Sequence, residues 1–333
     1  MSKLKMSKLK MLAAALPVAL LSTGALAADE TIAVFTKNQT NPYFQTVRVG
    51  AEAAAKSLGA KVVHYIPTKP DSIPEQLSQI EDVIVKKPSA IVFVPVDYKA
   101  MVPGVELINE AKIPVVNVTD RSAGGKFLAF VGADDYSLGL ETARYLLKEI
   151  GGKGNVVILE GVKGSLTSID RVRGFNDAIK EFKDVKLLAS QPANYQRLQG
   201  LQVMENLMQS HPQIDGVLAA NDAMAIGAIE ALDGANRKAK TIGINGTKEA
   251  VDAIKSGKLL ASGDYNGFVQ GCIGTMVAIR ALRHEPIVGE VVLKPTVVNA
   301  SNYQPYDVPL EARACPSWTD AAAMATKTPT KTN

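Results

Sequence analysis

Short apolar runs alternate with helix-spaced stretches along almost the whole chain, and this alternation limits the possible folds more than any other feature. Ile32 to Phe35, Lys61 to Ile66, Ala90 to Val96, Ile113 to Val118 and Phe127 to Gly132 read as strands, with helical spacing at 75–86, 98–111 and 138–150. Continuous apolar strands separated by helices predict a parallel sheet covered on both faces. A second round follows, with strands at 155–160, 186–190, 216–219 and 240–244 and helices at 169–182, 196–209 and 248–255. The fold class is therefore α/β, with two doubly wound parallel-sheet lobes. Leu259 to Tyr265 crosses back, a helix from Val269 to Leu282 rejoins the first lobe, and Val291 to Val298 crosses again. With the first crossing at Asp134 to Ser137, three crossings make a hinge about which the lobes can rotate.

The expected division is residues 28–133 plus 266–291 for the first lobe and 134–265 plus 292–320 for the second, with a disordered tail at 321–333. Residues 1–27 read as a signal peptide: Lys3, Lys5, Lys8 and Lys10 precede an apolar segment from Met11 to Leu21, and Ala25-Leu26-Ala27 forms a small-residue cleavage site. That segment is short of the ~20 residues a spanning helix needs. The Met-Ser-Lys-Leu-Lys repeat also allows a start at Met6.

Cleavage removes four of the 37 basic residues and no acids, leaving 33 to face 33 acidic ones. A neutral mature chain gives no support to nucleic-acid or anionic-membrane binding. The full chain of 333 residues is 47% hydrophobic, enough for its mature part to bury two cores. Cys272 and Cys315 are the two cysteines. In an oxidising compartment they either bridge a late helix to the tail or stay as separate buried thiols.

Ligands of open parallel sheets sit beyond the carboxyl ends of the strands. At those ends lie Asn41, Tyr43 and Phe44; Asp97; Asp120 and Arg121; Ser165 to Arg171, including Ile169; Asn194 and Tyr195; Asn221 and Asp222; Asn245; and Asp264 and Tyr265. Carboxylates accept hydroxyl protons, guanidinium donates a fork, amides do both and aromatic faces cover C–H surface, so the set suits a polyhydroxylated ligand. Lys37, Asn38 and Gln39 in the first loop either add polar contacts or face solvent.

Asn41-Pro-Tyr-Phe44, Thr119-Asp-Arg121, Asp170-Arg-Val-Arg-Gly-Phe175, Ser190-Gln-Pro-Ala-Asn-Tyr195, Ala220-Asn-Asp-Ala-Met-Ala225 and Ile242-Gly-Ile-Asn-Gly-Thr247 together resemble the ribose-type solute-binding proteins of ABC importers. The resemblance spans nearly the whole mature chain. It implies the type I periplasmic fold, a sugar held between lobes, a permease partner in the inner membrane, a periplasmic location, a monomer, no cofactor and no metal.

It also implies ligand roles for Asn41, Tyr43, Phe44, Asp120, Arg121, Tyr195 and Asn221, with Arg171 in the same motif. Three positions depart from the family pattern: Ile169 replaces an arginine, Asn245 an aspartate, and Asp264 or Tyr265 a glutamine. The expected ligand is accordingly a monosaccharide or polyol other than ribose, such as a short polyol or a deoxy or branched sugar.

Enzyme readings lack material. Gly151-Gly152-Lys153-Gly154 precedes a strand and cannot be a dinucleotide loop, and His64, His211 and His284 are scattered. A repressor of this fold would need a DNA-binding headpiece where the signal peptide stands. A periplasmic sensor feeding a chemoreceptor or histidine kinase remains the alternative to an importer component.

Overall fold

The computed structural model describes residues 30–327. The expected signal peptide lies outside them. The first lobe builds β1 (Thr31–Phe35), α1 (Pro42–Leu58), β2 (Lys61–Tyr65), α2 (Ile73–Lys86), β3 (Ala90–Phe93), α3 (Val102–Glu110), β4 (Val115–Thr119) and β5 (Phe130–Ala133). The second builds α4 (Asp135–Glu149), β6 (Lys153–Glu160), α5 (Leu166–Lys180), β7 (Asp184–Pro192), α6 (Arg197–Ser210), β8 (Gly216–Ala219), α7 (Asp222–Gly234), β9 (Lys240–Ile244), α8 (Lys248–Lys255) and β10 (Ala261–Asp264). The chain then runs through α9 (Gly267–Leu282), β11 (Glu290–Leu293), β12 (Thr296–Asn299), α10 (Trp318–Ala323) and β13 (Ala325–Lys327).

Strand order in the first sheet is β13-β11-β5-β4-β3-β1-β2, and in the second β12-β10-β9-β8-β6-β7. Both orders reverse direction beside their first strand, β1 in one lobe and β6 in the other. Loops diverge at such a switch point and leave a crevice. The strands beside it are buried, Ile32 to Phe35 and Val156 to Leu159 among them, which explains their unbroken apolar runs.

Local signals fix the helices that frame the crevice. Asn41 caps α1 by accepting the Tyr43 N–H at 3.0 Å, Pro42 occupies the first turn, and Gly59 ends the helix in the left-handed region. Helix α1 lies tightly on α9: a Cβ at Gly50 would overlap the Phe268 carbonyl oxygen, and one at Gly271 the Val47 carbonyl oxygen. Only glycine on both helices allows that approach.

The carboxyl-terminal part differs from expectation. Val292 and Leu293 pair with Gly132 and Ala133 of the first sheet, while β12 pairs with β10 of the second. Asp307 is bound to Lys255 of α8, yet Leu310, Cys315 and Trp318 pack on the α1–α9 surface, so the chain crosses between the lobes a fourth time. The assignment of 292–320 wholly to the second lobe is thereby corrected at both ends.

The expected disorder of 321–333 is corrected for its described part: 321–323 close α10 and 325–327 add an antiparallel edge strand to β11. A disulfide joins Cys272 to Cys315, and the Arg280 guanidinium lies 4.3 Å from the Trp318 ring. Weak periodicity in a Pro-, Ala- and Thr-rich tail hid an order imposed by these distant partners.

Candidate ligand-binding site

A cavity lies between the lobes at the carboxyl ends of their strands. Its walls include Asn41, Tyr43, Phe44, Asp120, Arg171, Tyr195, Asn245 and Tyr265 from the sequence-based set. Lys37, Asn38, Asp71, Thr119 and Thr167 complete it.

From the first lobe, the loop after β1 brings Lys37, Asn38 and Asn41. Asn38 Oδ1 accepts the Asn41 N–H at 2.9 Å and its amide donates to Asp71 at 3.2 Å, which closes the loop into a compact turn. Lys37 is buried with its ammonium 3.0 Å from Asp120 and 3.8 Å from Asp71. Burial opposes that charge, but the two carboxylates more than offset it and raise the Lys37 pKa. Asp120 also accepts the hydroxyl of Thr167 from α5, a contact across the cleft.

The loop bearing Asp120 is held by Asn117, whose amide donates to the Asp120 carbonyl at 2.8 Å and whose Oδ1 accepts the Ser122 N–H at 3.0 Å. Thr119 has a φ of 65°, an unfavourable conformation for a β-branched residue. Its hydroxyl donates to Gln270 Oε1 at 2.8 Å, which helps fix the strained backbone beside the cavity.

Gln270, fully buried on α9, organises the aromatic wall. Its Oε1 also accepts the Tyr43 hydroxyl at 3.2 Å, and its Nε2 donates to the Tyr265 carbonyl at 2.8 Å. The Tyr43 and Tyr265 rings stack with centroids 4.8 Å apart, and Phe44 meets Tyr43 edge-on. Gln270 was absent from the sequence-based set; a lone amide within the apolar run from 268 to 279 was its signal.

The second lobe brings Arg171, 2% exposed. Its Nε donates to Asp135 at 2.8 Å and its Nη1 to the Ala220 carbonyl at 2.8 Å, while the guanidinium lies 4.9 Å from the Tyr265 ring. Burial pushes Asp135 up to about 6, a rise that Arg171 partly offsets. Arg171 Nη2 and the Tyr195 hydroxyl are buried without a hydrogen-bond partner among the described residues. Burial, partly offset by Arg171, pushes Tyr195 up to about 12, so the hydroxyl keeps its proton. Asn245 bridges the cleft, its amide 3.4 Å from Asn41 Oδ1.

Several expected residues stand elsewhere. Asp97 caps a turn, Asn194 donates to Gln199, and Asp222 accepts from Thr247 and Ser262. Four more lie outside the cavity wall. Ile169 is 49% exposed and does not line the cavity. Thr167 and Arg171, four residues apart, share the inward face of α5, and a residue midway between them must point away. Of the three departures behind the expectation of a ligand other than ribose, the one at Ile169 is removed by this placement, while Asn245 and Tyr265 stand in the cavity wall. Arg121 reaches outward to Glu290 on β11 and lies 3.7 Å over the Phe130 ring. Asn221 caps α7, accepting the Met224 N–H at 2.9 Å and donating to the Tyr195 carbonyl at 3.2 Å. Asp264 faces a separate pocket at the back of the hinge, so Tyr265 is the member of that pair in the cleft.

Two like-ordered α/β lobes with a buried polar cavity between them are the build of a two-lobed solute-binding protein. The chain belongs to the periplasmic binding protein family, and within it to the ribose type: the family model for the periplasmic binding protein domain matches residues 32–286. The ribose import binding protein of Haemophilus influenzae is 31% identical over 294 residues, 88% of this chain and 100% of that protein. A periplasmic solute-binding protein of Actinobacillus succinogenes, solved with bound D-allose, superposes with a TM-score of 0.79 at 33% identity, covering 83% of this chain and 99% of its own. The Caulobacter myo-inositol binding protein gives a TM-score of 0.78 at 28% identity, over 84% and 96% of the two chains.

Proposed function

We propose that this chain is the periplasmic solute-binding component of an ABC importer, which captures a neutral monosaccharide or polyol between its lobes and delivers it to a membrane permease. The observation that carries the reading is the pair of buried donors with no partner among the described residues, Arg171 Nη2 and the Tyr195 hydroxyl, in a cavity also walled by Asp71 and Asp120. A buried donor without a partner is costly, and a ligand hydroxyl would satisfy it. The carboxylates accept hydroxyl protons, and the Tyr43, Phe44 and Tyr265 rings cover the C–H faces.

Relatives named for ribose import and structures solved with D-allose and myo-inositol support this ligand class. Residues named in the site bind rather than react. A fructose-binding periplasmic domain of a hybrid two-component system shares the fold at 26% identity, but relatives named for ribose import favour import over sensing. In this reading residues 1–27 direct export, and ligand bridging both lobes stabilises the closed form.

The test is a thermal-shift screen of the purified protein against ribose, D-allose, xylitol, myo-inositol and nonsugar controls, followed by calorimetry and small-angle scattering. A ligand that binds the folded state raises the midpoint. Affinity of about −8 kcal/mol, in the micromolar range, with a smaller radius of gyration on binding, is the expected result. No response, with no small molecule released on denaturing the protein, would exclude the reading.

A further inference from the structure

The cavity holds its own counterion. Lys37, Asp71 and Asp120 come from three loops of the first lobe, and their side chains are 7%, 15% and 11% exposed. The other cation lining the cavity, Arg171, is engaged by Asp135 behind it at 2.8 Å. One ammonium therefore answers the two carboxylates that face the ligand space.

We propose that Lys37 determines ligand charge: its ammonium stands where a ligand's positive group would otherwise sit, so the site takes uncharged polyhydroxylated ligands, and removing that ammonium turns it toward amine-bearing analogues. The proposal rests on the sugar- or polyol-binding reading above. An acidic ligand would have to lie against Asp71 and Asp120, and an amine against Lys37, at separations where like charges repel strongly in a buried site. A neutral ligand meets neither cost. Without the ammonium, two largely buried carboxylates remain with no cation between them, and an incoming ligand ammonium restores the pairing.

Calorimetry at neutral pH tests this with wild type, Lys37→Met, Lys37→Gln and Lys37→Arg, using D-allose and myo-inositol beside 2-amino-2-deoxy-D-allose and an aminodeoxyinositol. Wild type and Lys37→Arg should bind the neutral member of a pair at least about tenfold tighter, and Lys37→Met and Lys37→Gln should reverse that order. Wild type that binds amine and neutral forms equally overturns the proposal without any variant. So does a folded Lys37→Met or Lys37→Gln, checked by its melting transition, that keeps the neutral preference. If wild type binds no neutral sugar or polyol, the sugar-binding reading fails and takes this proposal with it.

Discussion

The side chains of Asn41 and Asn245 meet across the cleft, Nδ2 of Asn245 standing 3.4 Å from Oδ1 of Asn41. One follows β1 in the first lobe and the other follows β9 in the second, and each is also tied within its own lobe. Asn41 caps α1, and Asn245 lies 3.5 Å from Arg171 Nη1. Asn245→Ala removes the bridge and one partner of Arg171. Affinity for the ligand found in the screen should fall about fivefold to tenfold, near 1 kcal/mol, as for a typical hydrogen bond. Calorimetry showing no loss would mean that the bridge does not contribute to the bound form.

Gln270 joins Thr119, Tyr43 and Tyr265 without touching the cavity itself. Gln270→Leu would take an acceptor from the Thr119 and Tyr43 hydroxyls, which keep only each other at 3.3 Å, and a donor from the Tyr265 carbonyl. A loss of about 2 to 3 kcal/mol in denaturant unfolding is expected, together with weaker ligand binding through the misplaced rings. Unchanged stability would show that these groups find other partners.

Arg121 is turned toward Glu290 and the Phe130 ring. Arg121→Ala should therefore weaken ligand binding by less than about threefold, far less than a residue lining the cavity. A tenfold loss in calorimetry would place its guanidinium in the cleft of the bound form.

Burial pushes the Asp264 carboxyl up to about 7, and the hydrogen bond from the Asn266 N–H offsets only part of the rise. The folded state thus holds this proton more tightly than the unfolded state. Its contribution to stability is greatest below the ordinary carboxylate range and declines as pH rises through about 7. Asp264→Asn keeps a neutral acceptor at the position, so its melting point should gain on wild type at about pH 8 relative to about pH 5. A difference independent of pH would contradict this.

Much of the site was legible because residue type and strand ends coincide. Asn41, Tyr43, Phe44, Asp120, Tyr195 and Asn245 follow apolar runs whose ends mark one edge of each sheet. Direction was harder. Helical phase alone separates Ile169 from Thr167 and Arg171, which follows from spacing once α5 is known to start near Leu166. Lys37 and Arg121 could not be told apart in this way, because the choice depends on which carboxylate each long side chain reaches. Asn221 shows the same ambiguity between ligand and cap: both roles use an amide at the start of a helix. The tail was missed because its order comes from a disulfide, a ring contact and one strand pairing, all far away in sequence.

The most direct measurement is ligand affinity and melting temperature for Tyr195→Phe. Its hydroxyl is buried and has no partner among the described residues, so the free protein loses no hydrogen bond with it. The account predicts an unchanged or higher melting temperature without ligand and an affinity at least about fivefold weaker, roughly 1 kcal/mol. Equal affinity in the two proteins would contradict the claim that ligand hydroxyls complete this cavity.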